Sequence, residues 1–261
     1  MAEPLVKVHV HEHVGTLILN RPEKRNAISR DLLAELQEGL FDLHLERRVR
    51  AVVITGAGSA FCAGMDLNEM LATSEAPDAQ VRWHEDASNF RDLVETMLRF
   101  PKPLIAAVNG PAMAGGAGIM LACDLVVASK TATFGLPEPR RGIVAGVVAP
   151  LLAFRVGAGR AAYLLLTAQP TSAIDAERYG LFHELIGPDQ VWARAVQLAG
   201  QCAAGAPESL QLTKRLLNET IGESLFSQLA TGAAASATAR TTEAAAEGLK
   251  AFVEKRAPLW P

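Results

Sequence analysis

The sequence predicts an α/β fold whose second half is mostly helical. Three observations carry that reading. Short, apolar, β-rich runs alternate with helix-period segments through the first half of this 261-residue chain. Glycine-rich loops join a strand to a helix at 54–67 and again at 109–124. From about Val144 onward the chain is rich in Ala and Leu, with Gly157, Gly180, Gly187 and Pro207 as the breaks.

Taken in order, Leu5–Val10 and Thr16–Leu19 read as strands separated by Val14-Gly15, and Arg21-Pro22 ends the second. Ser29 is a suitable N-cap for a helix from Arg30 to Glu46. Ala51–Thr55, closed by Gly56-Ala57-Gly58, has the continuous apolar character of a strand buried on both faces. Thr73–Asp78 reads as a loop and Ala79–Arg99 as an amphipathic helix. Pro101 and Pro103 punctuate the entry to a strand ending at Val108, and Leu125–Ala128 is the next. Val191–Cys202, Glu208–Leu217, Ser224–Ala235 and Thr242–Lys255 each read as a helix of about three turns. The many small residues in the last three predict close helix packing, within the chain or between subunits. The Ala-rich Leu229–Ala246 stretch keeps its helical propensity and reads as helix.

Composition sets limits on function. Hydrophobic residues make up 49% and charged residues 20% of the chain, as in an ordinary globular enzyme. A net charge of −3 leaves no large basic face for nucleic acid. Cys62, Cys123 and Cys202 are far apart and form no CxxC, so neither a disulfide framework nor a metal site is expected, and a reducing cytoplasm fits. Met1–Val10 is too short and too polar for a secretory signal. No apolar run approaches the ~18 residues that span a bilayer, so no membrane association is expected.

Several candidate motifs fail on spacing. Gly56-Ala-Gly58 lacks the third glycine of a dinucleotide fingerprint. Gly110–Gly115 has P-loop spacing, but Gly116-Ala117 stand where Lys and Ser/Thr are needed. His9, His11 and His13 alternate as on one strand face, with no carboxylates at a useful spacing, and read as an exposed face rather than a metal site. Cys62 and Cys123 read as small core residues.

Three segments remain. Asn109–Asp124 packs five Gly and Pro residues between apolar strands, and a helix start there would offer free N–H groups to an anionic oxygen. Ile54–Leu67 is a second tight loop, ending in a helical turn capped by Asp66. Two N–H groups from separate loops are what an oxyanion hole requires. In Phe134–Gly142, Glu138 lies between Pro137 and Pro139, a frame rigid enough for acid/base work, although an exposed loop glutamate is an equal reading of the residues alone.

These segments resemble the crotonase superfamily, the enoyl-CoA hydratase/isomerase family. The matching residues are Asn20–Ala27, Phe61–Leu67, Ala106–Gly110, Ala114–Gly116, Cys123–Leu125, Phe134–Glu138 and Ala251–Arg256, in order over nearly the whole chain. The resemblance implies a spiral of ββα units over residues 1–200, holding the acyl-CoA site. A helical region at 201–261 would serve oligomerisation, as homotrimer or homohexamer, and closure of the CoA pocket. It implies an acyl-CoA thioester as substrate, with no metal, nicotinamide or flavin. Backbone N–H groups of Met65 and Gly115 would form the oxyanion hole and Glu138 would move the proton. Lys24, Arg25, Ala27, Ala63, Asp66, Leu67, Phe252 and Lys255 would meet CoA.

One position departs from the family's hydratases. Their second catalytic glutamate corresponds to position 118, which here is Gly118. Three readings follow: an isomerase with one shuttle base, a hydratase or hydrolase drawing a second group from His84, Glu85 or Asp86, and an acyl-CoA-binding protein without turnover. The family's dehalogenases and ring-forming synthases carry an aspartate in the region of Ile143–Gly146, and this chain has none there. Trp83 and Phe90 fall in the segment that shapes the acyl pocket. Arg140 and Arg141 read as solvated loop residues, with an acidic acyl group as the alternative partner.

Overall fold

Two sheets of unequal size organise the chain. The computed structural model describes residues 3–220 and 222–260, so Met1 and Ala2 of the N-terminal run lie outside it. Strands β1 (Val6–His11) and β2 (Val14–Leu19) form an antiparallel hairpin with Val6 opposite Leu19. Its turn is Glu12-His13, with Glu12 at φ 50°. Val14 and Gly15, expected to separate the strands, therefore belong to β2, because Val14 is buried and pairs with Ala51. The same turn takes His13 out of the strand, so the three histidines share no face.

Helix α1 (Arg30–Leu45) starts where Ser29 Oγ accepts the Leu32 N–H at 3.2 Å. Then come β3 (Ala51–Gly56), α2 (Leu67–Ser74) and α3 (Ala79–Arg99). The loop expected from Thr73 is shorter than that, since Thr73 is buried in the last turn of α2. Next are β4 (Leu104–Val108), β5 (Ala112–Met113), α4 (Gly115–Ala122), β6 (Leu125–Ser129) and β7 (Thr133–Gly135). A 3-10 turn at Glu138–Arg141 leads to α5 (Val148–Val156), α6 (Ala158–Thr167), β8 (Thr171–Ser172), α7 (Ala173–Arg178) and β9 (Glu184–Ile186). The chain finishes with α8 (Val191–Ala203), α9 (Pro207–Arg215), α10 (Glu223–Ala239) and α11 (Glu243–Val253).

The large sheet runs β1-β2-β3-β4-β6-β9, parallel after the hairpin, and the small sheet runs β5-β7-β8. Bridges between Ile28 and Met65 and between Cys62 and Ala112 carry the second layer back to the first loops. Each turn of chain thus lays a strand on the large sheet, a short extended segment on the second layer, then a helix. β4-β5-α4 and β6-β7-α5 are two such turns. This is the ββα spiral that the resemblance implies.

Alternation along the parallel strands sends side chains to both faces. Leu17, Leu19, Val52, Ile54, Ala106 and Val108 join the main core with α1 and α3. Val53, Ile105, Ala107 and Val127 face the other way, under a stripe of Val191, Ala195 and Ala199 on α8. α10 packs on α3 and α5, and α11 on α2 and the Glu138–Arg141 turn. The small residues expected to bring helices close do so inside the chain. A Cβ on Gly232 would strike the Gly146 carbonyl, and one on Gly248 the Arg141 carbonyl. The C-terminal helices are thereby seated directly on the loop that carries Glu138.

Candidate active site

Four loops converge, and one asparagine ties two of them. Asn26, fully buried at φ 56°, accepts the Arg21 N–H at 2.9 Å through Oδ1. Its Nδ2 donates to the carbonyls of Ala57 and Ala60, both at 2.9 Å, and of Phe61 at 3.2 Å. Arg21 adds bonds to the Ala27 carbonyl at 2.6 Å and to Asp66 Oδ2 at 3.0 Å. The 21–27 turn is thereby locked to the 57–66 loop. Asp66 also caps α2, accepting the Asn68 N–H at 3.1 Å.

The same locking presents the Met65 amide. Ile28 N–H donates to Gly64 O at 2.8 Å and Asp66 N–H to Ile28 O at 2.9 Å. Met65 sits between these bonds, and in a parallel bridge its own N–H turns to the opposite side. Among the described residues that N–H has no acceptor. Gly64, at φ +94°, allows the approach to the facing loop: a Cβ there would lie 2.7 Å from Ala114 Cβ and 3.3 Å from Gly115 N. Gly115 is the first residue of α4, so its N–H also lacks an intrahelical acceptor and adds the positive end of the helix dipole. Ala114, held at φ 51° with its N–H on Gly135 O at 2.9 Å, fixes that turn. At the other end of α4, Arg155 donates to the carbonyls of Leu121 at 2.9 Å and Cys123 at 3.0 Å.

Met65, Gly115 and Glu138 line one cavity of about 50 Å³, together with Phe90, Arg141 and residues of the 143–148 loop. Glu138 is 5% exposed rather than a solvated loop residue, and its Oε2 is buried without a hydrogen-bond partner among the described residues. Burial pushes its carboxyl up to about 7, against smaller opposing effects of a backbone hydrogen bond and of the Arg141 charge. Arg141 is half-buried, lies 4.8 Å over the Phe252 ring and is not a solvated loop residue, whereas Arg140 is exposed.

Gly118 is buried in α4 and does not line the cavity. A Cβ there would stand 3.0 Å from both Phe90 Cζ and Val148 Cγ2. A side chain at 118 would therefore press on both, and they would have to give by a few tenths of an ångström. His84 and Glu85, from which one of the three readings draws a second group, are exposed on α3 and do not line the cavity, because the helix turns Trp83, Ala87 and Phe90 inward instead. Asp86 is mostly buried but held by Arg30, at 2.7 Å to Oδ1 and 2.9 Å to Oδ2. Of the two aromatics expected to shape the pocket, Phe90 lines it and Trp83 is core.

A neighbouring cleft of about 320 Å³ is lined by Lys24, Arg25, Ala27, Ala63, Asp66, Leu67 and Phe252, and it shares Met65, Leu67 and Arg141 with the cavity. Lys255 is exposed beyond α11 and does not line it. Among the described residues no group of three or more His, Cys, Asp or Glu side chains could hold a metal. No described helix is long and apolar enough to cross a membrane. Cys62 and Cys123 are buried core residues, their thiols pushed up to about 12 by burial.

Sequence reasoning missed Arg240, which lines the cavity from the end of α10. A signal was there: it is the only charged residue from Ser224 to Thr242, in a run of small residues.

Comparison with known proteins gives a consistent result. The profile described as enoyl-CoA hydratase/isomerase matches residues 9–261. A Thermus thermophilus protein whose name assigns it to the enoyl-CoA hydratases is 42% identical, over 94% of this chain and 96% of its own. The mevalonyl-coenzyme A hydratase of Aspergillus fumigatus is 36% identical, over 95% and 91%. Among solved structures, an enoyl-CoA hydratase from Mycobacterium avium superposes with a TM-score of 0.87 at 31% identity, covering 98% and 99% of the two chains.

Proposed function

The chain belongs to the enoyl-CoA hydratase/isomerase family, and from that premise we propose that it moves the double bond of an enoyl-CoA with Glu138 as its single proton carrier. The CoA part lies in the cleft of Lys24, Arg25, Ala27, Ala63, Asp66, Leu67 and Phe252. The acyl part enters the cavity. The thioester oxygen accepts the N–H groups of Met65 and Gly115. Each such donor stabilises a developing enolate by about 3–4 kcal/mol. Ionised Glu138 takes a proton from C2 of a 3-enoyl thioester, giving the enolate and a neutral carboxylic acid. That acid returns the proton at C4, the double bond settles between C2 and C3, and the carboxylate is regenerated.

The observation that carries this reading is the lone carboxyl. Glu138 is buried, unpartnered at Oε2 and raised to about 7, which lets it accept and return a proton near neutral pH. Hydration by two carboxylates is disfavoured because position 118 is glycine and Glu138 is the one carboxylate among the described lining residues. The reaction needs no redox or metal cofactor, since the proton removed is the proton returned. The region 201–261 would close the site, and the reading carries with it a homotrimer or homohexamer in the cytoplasm.

The test is turnover of 3-enoyl-CoA by wild type and Glu138→Gln across pH. The expected loss is about 10²–10⁴-fold. Wild-type kcat/KM should rise with pH and level off above about 7, because the ionised form starts the reaction. An unchanged rate in Glu138→Gln rules the role out.

A further inference from the structure

Arg240 is a buried cation with almost nothing to hold it. It is 7% exposed, and its guanidinium donates no hydrogen bond among the described residues, with Nη1 enclosed and unpartnered. The nearest carboxylate, Asp86, is 4.0 Å away, and both Asp86 oxygens are already bonded by Arg30. Arg30 in turn keeps its own contacts, its N–H on Glu69 at 3.0 Å and Nη2 on Thr73 at 2.8 Å. Arg240 and Arg141 thus line the acyl cavity, with Arg30 behind its α3 wall; Asp86 and Glu69 act on Arg30, and among the described residues no carboxylate lies within hydrogen-bond distance of Arg240. A guanidinium stays charged at any working pH, so desolvating one this poorly paired costs stability.

That cost is offset if an anion enters the cavity. Ser236 precedes Arg240 by one turn of α10 and lines the same wall, adding a hydroxyl donor. Arg240 cannot replace the missing second glutamate, because a guanidinium does not exchange protons. The cation acting on the Glu138 carboxyl is Arg141, and the charges acting on Arg240 are Asp86 and Arg30. It lines the cavity from the end of α10, on a different element from the turn that carries Glu138, and so can meet the part of the acyl group that enters there. A cavity of about 50 Å³ admits about three to five water-sized groups, so that part is short.

Resting on the acyl-CoA reading above, we propose that the substrate is a short acyl-CoA ending in a carboxylate, with Arg240 and Ser236 binding that distal carboxylate. A carboxylate is the natural partner of a planar guanidinium, which offers it two parallel N–H donors.

The experiment compares binding of two unreactive saturated thioesters, glutaryl-CoA and pentanoyl-CoA, by calorimetry. They have the same carbon count and differ in the terminal group. Wild type should bind glutaryl-CoA at least about tenfold more tightly, as expected of a charge-assisted contact. Arg240→Met should bring the ratio close to one, and Arg240→Lys should retain part of it, separating charge from packing. A wild-type ratio at or below one overturns the proposal, and needs no variant to do so. A ratio that survives in Arg240→Met overturns it too. If both thioesters bind without preference, the acyl-CoA reading stands and this inference alone falls. If neither binds, the acyl-CoA reading falls and takes this inference with it.

Discussion

Glu138→Gln provides a test of the buried carboxyl that needs no substrate. In the folded protein burial raises this group from 4.5 to about 7. The folded pKa lies above the unfolded one, so folding favours the protonated form. The neutral acid's contribution is complete below about pH 4.5 and is lost as pH rises through about 7. At one pKa unit per 1.36 kcal/mol, the ionised carboxylate should cost the fold about 3 kcal/mol at pH 8.5. Glutamine has nearly the same shape and never ionises. Its stability should therefore match wild type within a constant offset at pH 4.5 and rise above that offset by about 3 kcal/mol at pH 8.5. For a chain of this size that corresponds to about 6–12 °C in melting temperature. Thermal unfolding of both proteins at several pH values measures it, and the difference cancels every other titrating group. A gap constant from pH 4.5 to 8.5 would refute the argument, as would one that favours wild type at high pH.

Two further predictions concern the frame around the site. Gly64→Ala places a methyl 2.7 Å from Ala114 Cβ at a φ of +94°, where L residues are strained, and so should push the Met65 and Gly115 amides apart. We expect kcat to fall by about 10²-fold while CoA-ester binding changes far less, as steady-state kinetics beside calorimetry would show. Lys214 is buried and pairs with Asp124 at 2.7 Å, which also accepts the Leu104 N–H at 2.8 Å. Lys214→Met should lower stability by about 3–5 kcal/mol in urea unfolding, and adding Asp124→Asn should recover much of that.

The fold was legible wherever local chemistry decides it. Ser29 and Asp66 cap the helices expected of them, and the alternation of apolar strands with helices gave the parallel sheet. The hairpin turn was placed wrongly because Gly15 looks like a turn residue. Its lack of a side chain instead makes room for Leu43, whose methyls would lie 2.8 Å from a Cβ. Met65, Gly115 and Glu138, which line one cavity, were legible through motifs. What packs around position 118 was not, since Phe90 and Val148 are 28 and 30 residues from Gly118 and meet it only through tertiary packing. His84 and Glu85 failed as second groups for a related reason: helix phase points them to solvent, and phase is set by which face α3 buries. Arg240 was hidden because the Ala-rich run that holds it shows no apolar stripe to fix which way the side chain turns. Only the packing of α10 onto α3 and α5 turns it inward.

The most direct measurement of the central claim is a product-resolved assay of the purified protein with trans-3-enoyl-CoA and trans-2-enoyl-CoA in parallel, run with short chains and with carboxylate-ended ones. A single proton carrier predicts that the 3-enoyl thioester becomes the 2-enoyl thioester and that no 3-hydroxyacyl-CoA accumulates from either. Accumulation of 3-hydroxyacyl-CoA from either thioester, or a 3-enoyl thioester left unconverted, would contradict it.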